Sequence, residues 1–311
     1  MPMLSVMSAD SRSDQPRALV TGLGGFTGRY LAQELELAGY RVFGTAHGSE
    51  EIRPGMFGVD LCDRASLAQV ISSVRPQIVA HLAAISFVAH GDVDAVYRTN
   101  IVGTRNLLDA LAGLPEKPRS VLLVSSANVY GNSLAELIDE NVLPAPANDY
   151  GVSKLAMEYM ARLWMDRLPI ILARTFNYTG IGQGSQFLIP KIVGHFQRGD
   201  RMIELGNIDV ERDFSDVRMV AKAYTALLTK APAGEVFNVC SGETHSLKDV
   251  LAMMAEIAGY EIKVRVNPAF VRANEVQRLR GDVGKLIGAV GMLDAIPLRE
   301  TLRWMYAGES P

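Results

Sequence analysis

The sequence predicts an α/β protein in which a doubly wound parallel sheet carries a smaller C-terminal domain. Three observations lead there. Short apolar runs alternate with segments of helical period through the first half of the chain. A glycine cluster, Gly22-Leu-Gly-Gly25-Phe-Thr-Gly28, stands where the first apolar run meets the first helical one. From Asn177 the alternation gives way to a glycine-rich stretch, Asn-Tyr-Thr-Gly-Ile-Gly-Gln-Gly. A length of 311 residues, with 48% apolar and 21% charged side chains, suits one large domain plus a smaller one. We expect residues 17–176 and 213–243 in the first, residues 177–212 and 244–311 in the second, and residues 1–16 as a disordered tail.

A net charge of −3 leaves no basic footprint for nucleic acid or an anionic membrane. No apolar run reaches the ~18 residues of a membrane span, and the first fifteen residues lack the basic start and apolar stretch of a secretory leader. Cys62 and Cys240 stand apart from each other and from any His in ligand spacing, so neither a disulfide framework nor a metal site is expected. Together these features predict a cytoplasmic protein.

Arg17–Thr21 reads as the first strand, followed by the glycine turn and a helix whose apolar positions Tyr30, Leu31, Leu35 and Ala38 run to a stop at Gly39. Glycine suits a sharp turn where a pyrophosphate approaches the amides of a helix N-terminus. The spacing here, Gly-x-x-Gly-x-x-Gly, departs from the commoner Gly-x-Gly-x-x-Gly, and a plain structural turn is the alternative. Arg41–Ala46 reads as the second strand. A ribose-reading carboxylate belongs about twenty residues beyond the glycines, yet Thr45, Ala46 and His47 stand there; His47 and Arg53 favour a 2′-phosphate, while Glu50 and Glu51 oppose it. Phe57–Asp60, Ile78–Ala83, Ser120–Ser126 and Pro169–Arg174 supply further strands, with helices at Arg64–Val74 and Asp92–Ala112. Helices at Gln186–Arg198, Leu247–Ala258 and Leu298–Tyr306 and a strand at Met202–Leu205 build the second domain, while Val217–Leu228 and Glu235–Val239 return to the sheet as a helix and a strand.

The chemistry centres on Asn148-Asp-Tyr150-Gly-Val-Ser-Lys154. Asn148 or Asp149 caps a helix, and positions i and i+4 share a face, which points the Tyr150 phenol and the Lys154 ammonium into one space. A cation there favours the phenolate and lowers the tyrosine towards proton exchange at neutral pH. The plain alternative is an ordinary surface helix. Ser126 ends the fifth strand, and ligand sites in such sheets lie at the carboxyl ends of strands. His81, inside the fourth strand, reads as a core histidine satisfied by backbone rather than a catalytic one.

In order along the chain, Thr21-Gly22-x-x-Gly25-Phe-x-Gly28, Asp60-Leu61, His81-Leu-Ala-Ala84, Ser125-Ser126-Ala-Asn-Val-Tyr130-Gly and Tyr150-x-x-x-Lys154 resemble the extended short-chain dehydrogenases that act on nucleotide-diphosphate sugars. The resemblance implies a Rossmann domain that binds NADPH or NADH through Gly22, Gly25, Phe26, Thr27, Gly28, Thr45, His47, Asp60, Leu61, Leu82, Ala83, Ala84 and Asn100, with Asp60 and Leu61 flanking the adenine. It assigns the sugar oxygen to Ser126 and the transferred proton to Tyr150. Lys154 would bind the nicotinamide ribose and lower the tyrosine pKa. For Asn100 a cap at a helix irregularity is an equal alternative.

The second half resembles the GDP-mannose-derived branch, and within it the GDP-4-keto-6-deoxy-D-mannose reductases, through Ala173-Arg-Thr-Phe-Asn177, Phe187-Leu-Ile-Pro-Lys191, the stretch from Leu205 to Phe214, Tyr224, Asn238-Val-Cys-Ser-Gly242 and Arg272-Ala-Asn-Glu275. This implies Lys191 and Asn207 near the guanine, Arg212 and Arg272 on the diphosphate, Glu275 on the ribose, and Asn177 and Leu188 on the substrate side. Forked guanidinium donors suit a diphosphate, although each charge taken singly also reads as a solvated surface residue. Tyr178 and Ile181 depart from the His and Pro frequent in this branch. Asn128 takes the position of the glutamate base of the related dehydratases, and an amide has no titratable proton. The expected reaction is reduction of the 4-keto group of a GDP-4-keto-6-deoxyhexose, giving GDP-D-rhamnose or its C4 epimer GDP-6-deoxy-D-talose. A homodimer pairing the Asp92 and Tyr150 helices is expected. The alternatives are a nucleotide-sugar 4-epimerase with tightly bound NAD and a non-catalytic nucleotide-binding protein on the same fold.

Overall fold

A computed structural model of the protein describes residues 15–46, 53–86, 91–270 and 277–308. Seven strands form one sheet: β1 (Arg17–Thr21), β2 (Arg41–Ala46), β3 (Met56–Gly58), β4 (Ile78–His81), β5 (Ser120–Ser126), β6 (Ile170–Thr175) and β10 (Val236–Val239). Their order is β10-β6-β5-β4-β1-β2-β3, and every pairing is parallel. The chain reverses direction across the sheet between β1 and β4, which opens a crevice at their carboxyl ends.

The strands are apolar on both faces because helices cover both. Ala18 and Val20 pack on one side with Leu31 and Leu35 of α1 (Phe26–Leu37) and Val220 and Leu227 of α7 (Val217–Lys230). Leu19 turns to the other side, against Leu67 and Ile71 of α2 (Arg64–Val74), Leu107 and Leu111 of α4 (Thr104–Gly113) and Met157 of α5 (Asp149–Arg162). This alternation of neighbours along β1 is the period of a strand.

Smaller sheets lie beyond the crevice. β9 (Glu211–Asp216) pairs with β7 (Asn177–Thr179), β11 (Thr244–Ser246) and β13 (Arg278–Leu279), and β8 (Met202–Leu205) pairs with β12 (Lys263–Val266). A separate core of Ile189, Phe196, Ile203, Val250, Met254 and Leu302 joins α6 (Leu188–Gln197), α8 (Leu247–Ala258) and α10 (Leu298–Ala307) to β8. The short α9 (Gly284–Val290) places Leu286 and Val290 in the core of the large sheet. Ser246 and Asp249 close a reciprocal capping box at the start of α8, and Gly259 in the left-handed region ends it.

Several expected elements change. The fourth strand stops at His81, so Leu82 and Ala83 belong to the loop above the sheet. The third strand is Met56–Gly58, which leaves Asp60 beyond it. The long helix expected over Asp92–Ala112 is broken into α3 (Val93–Tyr97), a π-helical turn at Arg98–Gly103, and α4. Gly103 explains the break: a Cβ there would meet Leu61 Cβ at 2.9 Å, so the wider turn lets the helix pass close to Leu61. The stretch after Asn177, expected as a loop, begins with the three-residue β7, because β9 offers it a parallel edge.

Candidate active site

The crevice between the large sheet and the smaller ones is a cleft of about 1240 Å³. That exceeds the ~300–1,000 Å³ of a typical single-ligand pocket and is room enough for two ligands side by side.

Its sheet-side wall carries Gly22, Gly25, Phe26, Thr27, Gly28, Thr45, Asp60, Leu61, Leu82, Ala83 and Ala84. Gly22 has φ +73°, and a Cβ there would lie 3.1 Å from Ala83 Cα. A Cβ on Gly28 would lie 2.4 Å from the Gly22 carbonyl oxygen, so only glycine lets this turn fold back on α1. Gly25 is the N-cap of the twelve-residue α1 and no side chain caps that helix, whose first residues Phe26, Thr27 and Gly28 line the cleft. These residues fit a dinucleotide pyrophosphate. The Gly22 and Leu23 amides donate to Thr45 O at 3.0 and 3.1 Å, which ties the turn to the end of β2. His47 lies outside the described residues, as do Arg272 and Glu275.

The opposite wall carries Asn177, Leu188, Lys191, Asn207 and Arg212. Asn177 Nδ2 is buried with no hydrogen-bond partner among the described residues, a donor left for a ligand. Lys191 Nζ donates to Glu204 O at 2.7 Å and stands 4.5 Å from the centre of the Phe270 ring. Asn207 Oδ1 accepts from Asp209 N at 3.0 Å. Arg212 Nη1 donates to Glu211 O at 2.8 Å.

Ser126, Tyr150 and Lys154 meet on the floor. Ser126 ends β5; Tyr150 and Lys154 lie on the first turns of α5, which Asn148 caps by accepting from Gly151 N at 2.8 Å. Lys154 Nζ donates to Val124 O at 2.8 Å and lies 5.9 Å from the Tyr150 ring centre. Burial pulls Lys154 down to about 8, with Glu158 acting against it. The expected lowering of Tyr150 is reversed: burial, then Tyr178, raises the phenol well above its ordinary value, and only the Ser126 hydroxyl pulls it down. The reason is burial, which outweighs the ammonium that the Val124 carbonyl holds 5.9 Å from the ring centre.

Asn100 does not face the cleft. Its side chain accepts from Ile85 N at 3.0 Å and donates to Ser153 Oγ at 3.0 Å, and Ser153 donates to Tyr150 O at 2.8 Å. It therefore steadies the tyrosine turn from behind. His81 is a core histidine as expected, but hydroxyls rather than backbone satisfy it. Thr104 Oγ1 donates to Asn100 O, so it must accept from His81 Nε2 at 2.8 Å, which leaves Nδ1 to accept from Thr21 Oγ1 at 2.7 Å. Burial holds this imidazole near 3, hence neutral.

Sequence reasoning missed two features. Tyr178 hydrogen-bonds Thr27 Oγ1 at 2.8 Å and stacks on Phe26 with ring centres 6.0 Å apart, joining β7 to the glycine turn. A buried pair lies under the floor: Arg174 Nη2 meets Glu158 Oε2 at 2.7 Å, and Ser125 Oγ donates to Glu158 Oε1 at 2.6 Å. An arginine inside an otherwise apolar strand and a glutamate at Lys154+4 were the signals for it. Among the described residues no cluster of His, Cys, Asp and Glu suits a metal, and no helix is long and apolar enough to cross a membrane.

A family profile described as GDP-mannose 4,6 dehydratase matches residues 19–305. The chain belongs to this family. It is an extended short-chain dehydrogenase/reductase of the kind that modifies nucleotide-diphosphate sugars. Two curated members are similar along most of their length. GDP-6-deoxy-D-talose 4-dehydrogenase of Aggregatibacter actinomycetemcomitans is 33% identical over 88% of this chain and 91% of its own. GDP-6-deoxy-D-mannose reductase of Pseudomonas aeruginosa is 34% identical over 92% and 95%. Among solved structures, a Burkholderia cenocepacia protein provisionally called an epimerase is 54% identical, with a TM-score of 0.89 over 94% of this chain and 97% of its own. A Pseudomonas aeruginosa protein solved with NADPH is 33% identical, with a TM-score of 0.82 over the same shares.

Proposed function

We propose that this member of the family catalyses nicotinamide-dependent redox chemistry at C4 of a GDP-6-deoxyhexose, in the direction of ketone reduction. The observation that carries this reading is the convergence of Ser126, Tyr150 and Lys154 on the cleft floor with an amide, Asn128, where the related dehydratases carry a base. The Asn128 amide cannot remove a C5 proton, and ketone reduction needs no such step. The two curated relatives act, by their names, on GDP-6-deoxyhexoses, one of them at C4.

NADPH or NADH, bound along the glycine wall, supplies the hydride for C4 of the hexose. Tyr150, kept protonated by burial, gives its proton to the oxygen that becomes an alkoxide. Ser126 donates a hydrogen bond to the same oxygen. Lys154 holds the ribose edge of the nicotinamide side, and Arg212 and Lys191 bring positive charge to the diphosphate and base end. GDP-D-rhamnose or GDP-6-deoxy-D-talose results, according to which way the hexose lies in the cleft.

A second reading has a specific observation behind it. The 54% identical structure is provisionally called an epimerase, and a 4-epimerase would use the same three residues with NAD retained through both half-reactions. One assay separates the two. The reductase consumes NADPH or NADH one for one with GDP-4-keto-6-deoxymannose and forms no keto-sugar from GDP-mannose. Stoichiometric cofactor in the purified protein, with exchange of C4 epimers and no net NADPH consumption, would replace it with the epimerase. We further propose a homodimer through α3–α4 and α5, whose outer faces expose Val93, Val102, Val152, Tyr159 and Leu163. A monomeric mass by light scattering at micromolar concentration would overturn this.

A further inference from the structure

The first turn of α5 imposes a direction on the hydrogen bonds of the active-site floor. Gly151 N donates to Asn148 Oδ1 at 2.8 Å, which fixes which end of the Asn148 amide faces the helix. Asn148 Nδ2 is therefore the end turned to Asn128, and it donates to Asn128 Oδ1 at 3.5 Å. That orients the second amide in turn, so Asn128 Nδ2 donates to Ser126 Oγ at 3.1 Å, and the Asn128 backbone N–H donates to the same oxygen at 3.1 Å. A hydroxyl has one proton and two lone pairs. Both lone pairs of Ser126 are taken, and only its proton remains for the cleft.

We propose that Asn128 is a positioning residue that fixes the Ser126 hydroxyl as a hydrogen-bond donor, with Asn148 setting the orientation of Asn128. The inference rests on the reading that Ser126 and Tyr150 share the reacting oxygen. Ser126 and Tyr150 both line the cleft floor, and the Ser126 hydroxyl acts to lower the tyrosine against the effect of burial. With both Ser126 lone pairs occupied, the hydroxyl cannot accept from Tyr150, so the serine proton and the phenol proton are both left for the ligand oxygen. A Ser126 with a lone pair free would accept from Tyr150 and divert the phenol proton from that oxygen. Asn128 thus does more than remove a dehydratase base: its N–H groups preorganise the donor that meets developing negative charge.

The test is kcat against pH from 5 to 8.5 for the wild type, Asn128→Asp, Asn128→Ala and Asn148→Ser, with KM for NADPH and melting temperature beside it. An aspartate at 128 has the same shape but, once ionised, only accepts, so it claims the Ser126 proton. We expect a loss of about 10²-fold at pH 8, the effect of one lost preorganised donor, with activity returning as the pH falls and the carboxyl regains a proton. Asn128→Ala keeps the backbone donor and loses less than about tenfold at all pH values. Asn148→Ser keeps a neutral helix cap and removes the donor to Asn128, so kcat falls several-fold with the melting temperature unchanged. KM for NADPH stays put throughout. An Asn128→Asp enzyme at wild-type rate at pH 8, or one whose loss is constant across the pH range, overturns the proposal. The profile is read on whichever C4 turnover the wild type shows, NADPH oxidation or exchange of epimers. An epimerase outcome therefore changes the proposed reaction and leaves this test in force.

Discussion

Lys154 should cost the folded protein stability in return for its function, and the size of that cost follows from its surroundings. Its side chain is buried on the cleft floor, and the loss of water pulls the ammonium from its ordinary 10.5 down to about 8. Between those two values the unfolded chain holds a proton that the folded one does not, so stability from this group rises with pH through the window and is lowest below pH 8. At 1.36 kcal/mol per pH unit, the cost at pH 7 is about 3 kcal/mol. Lys154→Met removes it but leaves Val124 O without its donor, a loss of about 1 kcal/mol. The variant should therefore be more stable than the wild type by about 2 kcal/mol at pH 7, while turnover collapses. Urea unfolding of both proteins at pH 7 and 9.5 measures it. By pH 9.5 roughly half of the cost has gone, and the two curves should nearly coincide. A variant less stable than the wild type at pH 7, or a gap that does not change with pH, would refute the reasoning.

Three further outcomes are expected. Tyr150→Phe lowers the chemical rate by about 10²- to 10⁴-fold, the usual loss of a general acid, with cofactor affinity preserved in titration calorimetry; activity within a few-fold of wild type removes Tyr150 from the mechanism. Glu158→Gln strands the Arg174 charge, which the pair keeps buried with side-chain exposures of 4% and 1%. Unfolding should show a loss of about 3–5 kcal/mol, and a loss under about 1 kcal/mol would mean water reaches the guanidinium. His81, held near 3 against an ordinary 6.5, contributes stability that is complete above pH 6.5 and is lost as the pH falls towards 3. Long-range proton–nitrogen spectra at pH 5 should show one neutral tautomer with the proton on Nε2; an imidazolium signal there would contradict it.

The sequence by itself determined the sheet and the ingredients of the cleft. Apolar alternation in Ala18-Leu19-Val20 and unbroken apolar runs such as Ile78–Ala80 belong to strands covered on both faces, and that local pattern survives in any tertiary setting. Gly22 and Gly28 were legible because a sharp turn against neighbouring backbone tolerates no other residue. The four-residue spacing of Tyr150 and Lys154 fixed their common face as soon as a helix formed there. What only the tertiary structure decided involves partners far apart in the chain. Nothing local to Tyr178 announces that it stacks on Phe26, 152 residues earlier, and the edge strands β11 and β13 are short pieces that exist because β9 offers them a ladder. The helix over Asp92–Ala112 broke at the π turn because Leu61 approaches Gly103, a contact invisible to helical periodicity. Electrostatics followed the same division. Charge type and spacing implied a lowered tyrosine, whereas burial, which is a property of the whole fold, raised Tyr150 and depressed Lys154 and His81. Residue identity fixes which protons are available, and the packed surroundings decide which form is held.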